Sequence, residues 1–352
     1  MTAQWAFIEH VTNSLAAPRS GDPKPPTLWP SEASAIVTID GKEKVVGKCR
    51  RATFFRYLLD NFTFYEKYRT LWKPLVEDIK CNALPTDRYL LWIWRHGELY
   101  EEFLVEQAKI SGVYIDGQVQ VFIPQLNVSG KKDIEIINPN THKRSIVEAK
   151  SVYGFGANTV LGTPGERKKG NLGEPRDSNL MQIAMYHWWS ASEDDAYEDS
   201  RLVYGSRDTG RYGEYLVKTE TREDGTIEIY WKANAPNQGP WTLSPITINA
   251  ILKEYQNQQL WLDAGIIPER DFDISFSEEQ LAELYAADEL TKTDREQYEK
   301  VIARRAENAE RVANGLEPKK ELKQIEKGDW HCNLCQYKTI CYDNENKPRT
   351  LQ

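Results

Sequence analysis

Three groups of residues in this sequence have types and spacings suited to chemistry. The first is Asp133, Glu148 and Lys150. Glu148 and Lys150 stand at i and i+2 in the strand-like run Ser145 to Ser151, so they point to one face. A turn through Asn138-Pro139-Asn140-Thr141 separates that run from another, Asp133 to Ile137. With the hairpin centred between Asn140 and Thr141, Asp133 falls opposite Glu148. Two carboxylates about 5 Å apart across a strand pair repel unless a positive charge sits between them. A hard divalent cation supplies it, and Mg²⁺ is commonly held by one or two carboxylates plus substrate phosphate. Lys150, on the same face, could position a water or stabilise negative charge in a transition state. The competing reading is three solvated side chains on an open sheet face, which a one-residue register slip would produce. The second group is Cys332, Cys335 and Cys341, a C-x-x-C-x5-C run beside Trp330 and Tyr337. Three thiols are one short of a four-thiolate site, and either Zn²⁺ or an iron–sulfur cluster suits such ligands, with His331 keeping a zinc knuckle open. Unligated buried cysteines are the alternative. The third group is basic: Arg50-Arg51, Lys131-Lys132, Arg167-Lys168-Lys169 and Arg176 are clustered cations able to meet a polyanion.

Elements must position these groups. The chain has 352 residues, 11 of them Trp and 18 Tyr, which is ample for a large buried core. Residues 1–30 contain Pro18, Pro23, Pro25, Pro26 and Pro30 and read as an extended arm. Cys49 to Tyr68 reads as an aromatic-rich helix and Asp87 to Lys109 as a second, with Leu90, Leu91, Trp94, Leu99, Phe103 and Leu104 at helical spacing and Gly112 as its stop. Val113 to Ile115, an Asp116-Gly117 turn and Gln118 to Gln125 read as a hairpin that feeds the carboxylate hairpin. Residues 154–178 read as a long Gly-rich loop of functional character. Leu180 to Ser192 reads as a helix. Strands at Leu202 to Ser206, Tyr212 to Lys218 and Thr226 to Lys232 and a helix at Ile246 to Ala264 follow. Residues 271–328 are charge-rich and helical, most regularly over Arg295 to Val312, and read as an insertion. The net charge of −8 argues against a protein coated in basic surface but permits a locally basic cleft. No run approaches the length of a membrane span, and the first ten residues lack a signal-peptide layout, so the expectation is a soluble, cytoplasmic protein.

The motifs Gly130-Lys131-Lys132-Asp133, Glu148-Ala149-Lys150 and Gln182-Ile183-Ala184-Met185-Tyr186 resemble, in order and approximate spacing, the G-x-x-D, E-x-K and Q-x-x-x-Y motifs of PD-(D/E)XK nucleases of the RecB-type branch. The resemblance implies an α/β fold: a restriction-endonuclease-like core with a mixed central sheet flanked by helices. It also implies that Asp133 and Glu148 bind Mg²⁺ or Mn²⁺ and that Lys150 is the catalytic lysine. Gln182 and Tyr186, one helical turn apart, would touch DNA or that lysine. An upstream helical residue usually completes the metal site, and Gly97-Glu98-Leu99-Tyr100-Glu101 resembles the G-x-x-x-E form, which makes Glu101 the choice over Glu98 and His96.

Cys49 in Cys49-Arg50-Arg51 resembles the early cysteine of the iron–sulfur nucleases in this branch, the AddB-type helicase-nucleases and CRISPR-associated exonucleases. There, one early and three C-terminal cysteines hold a 4Fe–4S cluster, which implies Cys49, Cys332, Cys335 and Cys341 as one set and leaves Cys81 outside it. The resemblance covers most of the chain, with Gly265-Ile266-Ile267-Pro268 as the lead-in to the cysteines. It departs at the charged segment, since the cysteines normally follow soon after that lead-in. The expected organisation is therefore an arm (1–30), a nuclease core (31–270), the charged insertion (271–328) and a C-terminal cysteine motif that packs back on the core (329–352). The expected activity is metal-dependent hydrolysis of DNA at ends or in single strands, with a helicase or recombination partner. A non-catalytic DNA-binding or assembly protein that keeps fold and cluster is the alternative, and a zinc-binding interaction module is a third reading.

Overall fold

Alternating apolar residues between Tyr114 and Thr247 assemble one seven-stranded mixed sheet. The computed structural model describes residues 12–15, 25–168, 172–194, 196–235, 239–323, 325 and 327–351. A small antiparallel hairpin comes first, β1 (Ser34–Ile39) and β2 (Lys42–Gly47), and three helices follow: α1 (Arg50–Phe64), α2 (Lys67–Asn82) and α3 (Arg88–Ile110). The large sheet is built in sequence order from β3 (Tyr114–Ile123), β4 (Val128–Ile137), β5 (Arg144–Val152), β6 (Tyr197–Ser206), β7 (Tyr212–Thr221), β8 (Ile227–Ala233) and β9 (Thr242–Thr247). Only β5 and β6 pair in parallel; every other neighbour is antiparallel. A parallel pair needs a long crossover, and the chain supplies it with α4 (Gly154–Leu161), α5 (Pro164–Lys168) and α6 (Asp177–Glu193). After β9 come α7 (Ile248–Ala264), α8 (Glu278–Ala286), α9 (Lys292–Ala313) and two short turns of helix, α10 (Trp330–Asn333) and α11 (Lys338–Cys341).

The core forms where α6 and α7 meet the sheet and the first hairpin. Met181, Ile183, Ala184 and Met185 of α6 are wholly buried with Leu202, Tyr204 and Tyr215 of β6 and β7, and Ile251 and Leu262 of α7 join them. The other flank is lighter: α3 lies against β3, β4 and β5, yet none of its 23 residues is fully buried. Among the described residues no helix is long and apolar enough to cross a membrane.

Four local expectations are corrected. Asp116-Gly117 makes no hairpin: β3 runs straight through it with an irregularity beside Tyr114 and a left-handed residue at Gln118 (φ 55°). The long loop at 154–178 contains α4, because Ala157, Val160 and Leu161 find buried positions against the sheet. Residues 12–15 are helical rather than extended, and Trp92 Nε1 of α3 donates to Thr12 Oγ1 at 3.1 Å. The first helical stretch does not end the helical region near Tyr68; a second helix, α2, continues to Asn82 and carries Cys81.

Candidate active site and thiol cluster

The hairpin of β4 and β5 has the register that sets Asp133 level with Glu148. Its ladder runs from Ile137↔Arg144 to Ile134↔Val147 and stops there. At the next position a side chain takes the place of backbone: Asp133 Oδ2 accepts the Ala149 N–H at 2.9 Å. The strands open at the point where three charged groups converge. Lys150 Nζ donates to Glu148 Oε1 at 2.5 Å, and the Asp133 and Glu148 carboxyls feel each other's charge. Glu148 is only 1% exposed, and its second oxygen, Oε2, is buried without a hydrogen-bond partner.

Burial dominates the electrostatics. It pushes the Glu148 carboxyl up to about 8, with the Asp133 charge adding to the rise and Lys150 opposing it. Asp133 is raised for the same reason, against the pull of Lys150. Burial alone would lower Lys150, but Glu148 and Asp133 outweigh it, so the ammonium is held. Glu101 reaches the group from α3. Its carboxyl bonds to Gln118 of β3 and is pushed up to about 7 by burial and by Asp133. The two rivals on α3 are engaged elsewhere: Glu98 binds Arg95 at 2.9 Å, and His96 Nδ1 sits 2.7 Å from the Trp92 carbonyl.

Gln182 and Tyr186 flank the carboxylates from α6. Both are buried, Tyr186 interacts with Gln182 and with the backbone at Lys131, and burial together with the Glu148 charge raises its phenol. Gly130 is what makes room, since a Cβ there would stand 2.5 Å from the Tyr186 oxygen. Gln182, Tyr186 and exposed Lys131 line one cavity of about 650 Å³.

The other basic residues separate into two kinds. Arg50 binds Asp271 at 2.6 Å and Glu254 at 3.3 Å, buried Arg51 donates to the Pro268 carbonyl at 2.6 Å, and buried Lys132 pairs with Glu135. Arg50 and Lys132 are thus tied to carboxylates of the fold, whereas Arg51 also lines the cavity of the C-terminal cysteines and acts on the Cys341 thiol. Arg176 is exposed at the start of α6, next to Gly156. Arg167 and Lys168 belong to α5 by backbone only, and Lys169 lies outside the described residues. A cation that the sequence reading missed, Lys48, stands at the end of the first hairpin and feels the charges of Lys150 and Arg176. A lone lysine after a strand gives no periodic signal.

Cys49, Cys332, Cys335 and Cys341 line a single cavity of about 620 Å³, whereas Cys81 is exposed on α2. Burial raises all four thiols, Cys332 to about 12; neighbouring thiols add to the rise of Cys49, Cys332 and Cys335, whereas Arg51, Arg270 and Arg349 oppose that of Cys341. Among the described residues no group of three or more His, Cys, Asp or Glu side chains is arranged to hold a metal ion as it stands. The charge balance nevertheless fits cations at both places. Three carboxyls held above their usual range and an orphaned carboxylate oxygen suit a hard divalent ion, and four sulfurs suit a soft metal. Compared with protein-family models, curated proteins and solved structures, the chain matches none.

Proposed function

We propose that the chain is a Mg²⁺- or Mn²⁺-dependent deoxyribonuclease with a PD-(D/E)XK core, hydrolysing phosphodiesters at DNA ends or in single strands. The observation that carries the reading is the Asp133, Glu148 and Lys150 constellation at the open end of the β4–β5 ladder, with Glu148 Oε2 unpartnered. Asp133, Glu148 and Glu101 supply the oxygens for the divalent ion. When bound, that ion neutralises phosphate charge and lowers the pKa of a water nucleophile. Lys150 orients Glu148 through its 2.5 Å bond and presents its remaining N–H groups to charge developing on the phosphate. Tyr186 and Gln182 wall the site and limit water. The four cysteines are proposed to hold a 4Fe–4S cluster, with Zn²⁺ as the alternative occupant of the same thiols.

The test is anaerobically purified protein assayed with Mn²⁺ on end-labelled DNA. Asp133→Ala, Glu148→Ala and Lys150→Ala are expected to lose cleavage by at least about a hundredfold while remaining folded. Full turnover in any of them removes that residue from the mechanism, and no cleavage by the wild type overturns the reading.

A further inference from the structure

We propose that Tyr204 is a positioning residue: its hydroxyl pins the first turn of α6 to the strand beside Lys150 and so sets Gln182 and Tyr186 against the carboxylates. This rests on the nuclease reading above and adds to it a residue that acts through others. Tyr204 lies on β6 level with Lys150 on β5, and neighbours in a strand pair present their side chains to one face. It is wholly buried, and the Glu148 charge reaches its phenol.

A buried hydroxyl needs partners, and both partners of this one lie at the start of α6. Tyr204 Oη accepts the Arg176 N–H at 3.1 Å and donates to Asn179 Oδ1 at 3.0 Å. Arg176 is the N-cap, a place where Ser, Thr, Asp or Asn is preferred, and its own side chain makes no capping bond. A cap from within ties a helix only to itself, whereas a hydroxyl from the sheet ties α6 to β6.

The bond to Asn179 fixes the rotation of the helix as well. Asn179, Gln182 and Tyr186 stand at i, i+3 and i+7, so they share one face of α6. Holding Asn179 on Tyr204 turns that face toward the carboxylates, where the Glu148 and Asp133 charges act on Tyr186. The Tyr204 ring is itself braced: it meets Tyr215 edge to face at 5.9 Å and 86°, and the Tyr215 hydroxyl donates to the Val160 carbonyl of α4. Two buried hydroxyls thus hold the two ends of the crossover between β5 and β6, Tyr215 its first helix and Tyr204 its last. Of the pair, Tyr204 is the one bonded to the helix of Gln182 and Tyr186, which makes Tyr215 its matched control.

The test compares Tyr204→Phe with Tyr215→Phe in the full-length protein, cleaving end-labelled DNA with Mn²⁺. Each variant removes one buried hydroxyl and keeps the ring, so both should lower the melting temperature by a few degrees. Tyr204→Phe alone should slow single-turnover cleavage about tenfold, with the half-saturating DNA concentration unchanged within about twofold. Added to the double variant Gln182→Ala, Tyr186→Phe, it should cost no more than about twofold, because the residues through which it acts are gone. Equal slowing by the two single Phe variants, a wild-type rate in Tyr204→Phe, or full additivity in the double-variant background overturns the proposal. A wild type that cleaves nothing ends the nuclease reading and this proposal with it, whereas wild-type cleavage beside an unaltered Tyr204→Phe rate ends the proposal alone.

Discussion

Glu148 is the residue on which the site turns, because its neighbours neither neutralise it fully nor leave it to water. Its carboxyl is pushed up from 4.5 to about 8, and that of Glu101 to about 7. Between those limits the folded chain holds protons that the unfolded chain has released. Stability therefore falls as pH rises through the window, since the native state binds more protons there. A divalent ion competes for the same oxygens and binds more tightly as the protons leave. The melting temperature of metal-free protein should decline from about pH 5 to about pH 8.5, and Mn²⁺ should raise it most at the alkaline end. Glu148→Gln should flatten the decline; an identical slope in wild type and variant would count against Glu148 as its source. The same geometry separates two glutamates one turn apart. Glu101 is coupled to Asp133 and Lys150, whereas Glu98 is occupied by Arg95. Glu101→Ala should cost at least about a hundredfold in cleavage rate and Glu98→Ala no more than a few-fold, read from single-turnover assays. The opposite ranking would move the ligand by one turn of α3.

At the scale of elements, α3 is a long helix with no fully buried residue, and a glycine of the sheet meets it. Gly205 of β6 lies against the Tyr100 ring, and a Cβ there would stand 2.4 Å from Tyr100 Cζ. Gly205→Ala must therefore displace the Tyr100 ring, on the residue next to Glu101. A loss of about 1–3 kcal/mol in stability is expected from the overpacking, with a larger proportional loss of activity. In the double variant Gly205→Ala, Tyr100→Leu both should recover in part, and simple additivity in the cycle would show that the two positions are not in contact. The hairpin of β4 and β5 was legible in sequence because an Asn-Pro-Asn-Thr turn and period-two alternation specify register together. The hairpin expected at Asp116-Gly117 was not formed, since a strand pair with β4 on one side carries β3 through the irregularity. Strand β9 went unseen because Thr242–Thr247 is short and contains Pro245, a residue confined to sheet edges, which is where β9 lies. α2 went unseen because Pro74 interrupts its pattern. The carboxylates were found from spacing, but which basic residues face outward was not, because Arg50 and Arg51 look like surface cations until Asp271 and Pro268 arrive from elsewhere, and Lys132 until burial pairs it with Glu135, three residues on in β4.

At the scale of the whole molecule, the thiol cavity joins the start of α1 to the C-terminal turns. Cys49 precedes α1, and Cys332, Cys335 and Cys341 belong to the last turns before the C-terminus. Protein contacts already hold this junction: the Tyr337 and Phe55 rings meet edge to face at 5.4 Å, the Gln336 carbonyl accepts Leu84 N–H at 2.8 Å, and His331 Nε2 lies 3.1 Å from the Gly47 carbonyl. A metal bridging Cys49 to the other three would close a loop of nearly the whole fold. Counted as for a disulfide, such a closure is worth on the order of 5 kcal/mol of unfolded-state entropy. Anaerobically prepared protein should be brown and carry about four irons per chain, as a 4Fe–4S cluster requires. Cys49→Ser, Cys332→Ser, Cys335→Ser and Cys341→Ser should each bleach it and lower the melting temperature, because thiols whose ionisation is opposed by burial lose the cation that makes their thiolate forms favourable. Cys81→Ser should change neither colour nor melting temperature, since Cys81 is exposed on α2 outside the cavity. A colourless protein with one zinc per chain would replace the cluster while leaving the four-thiolate site in place, and bleaching by Cys81→Ser with Cys49→Ser silent would show that the fourth ligand is not the one that closes the chain.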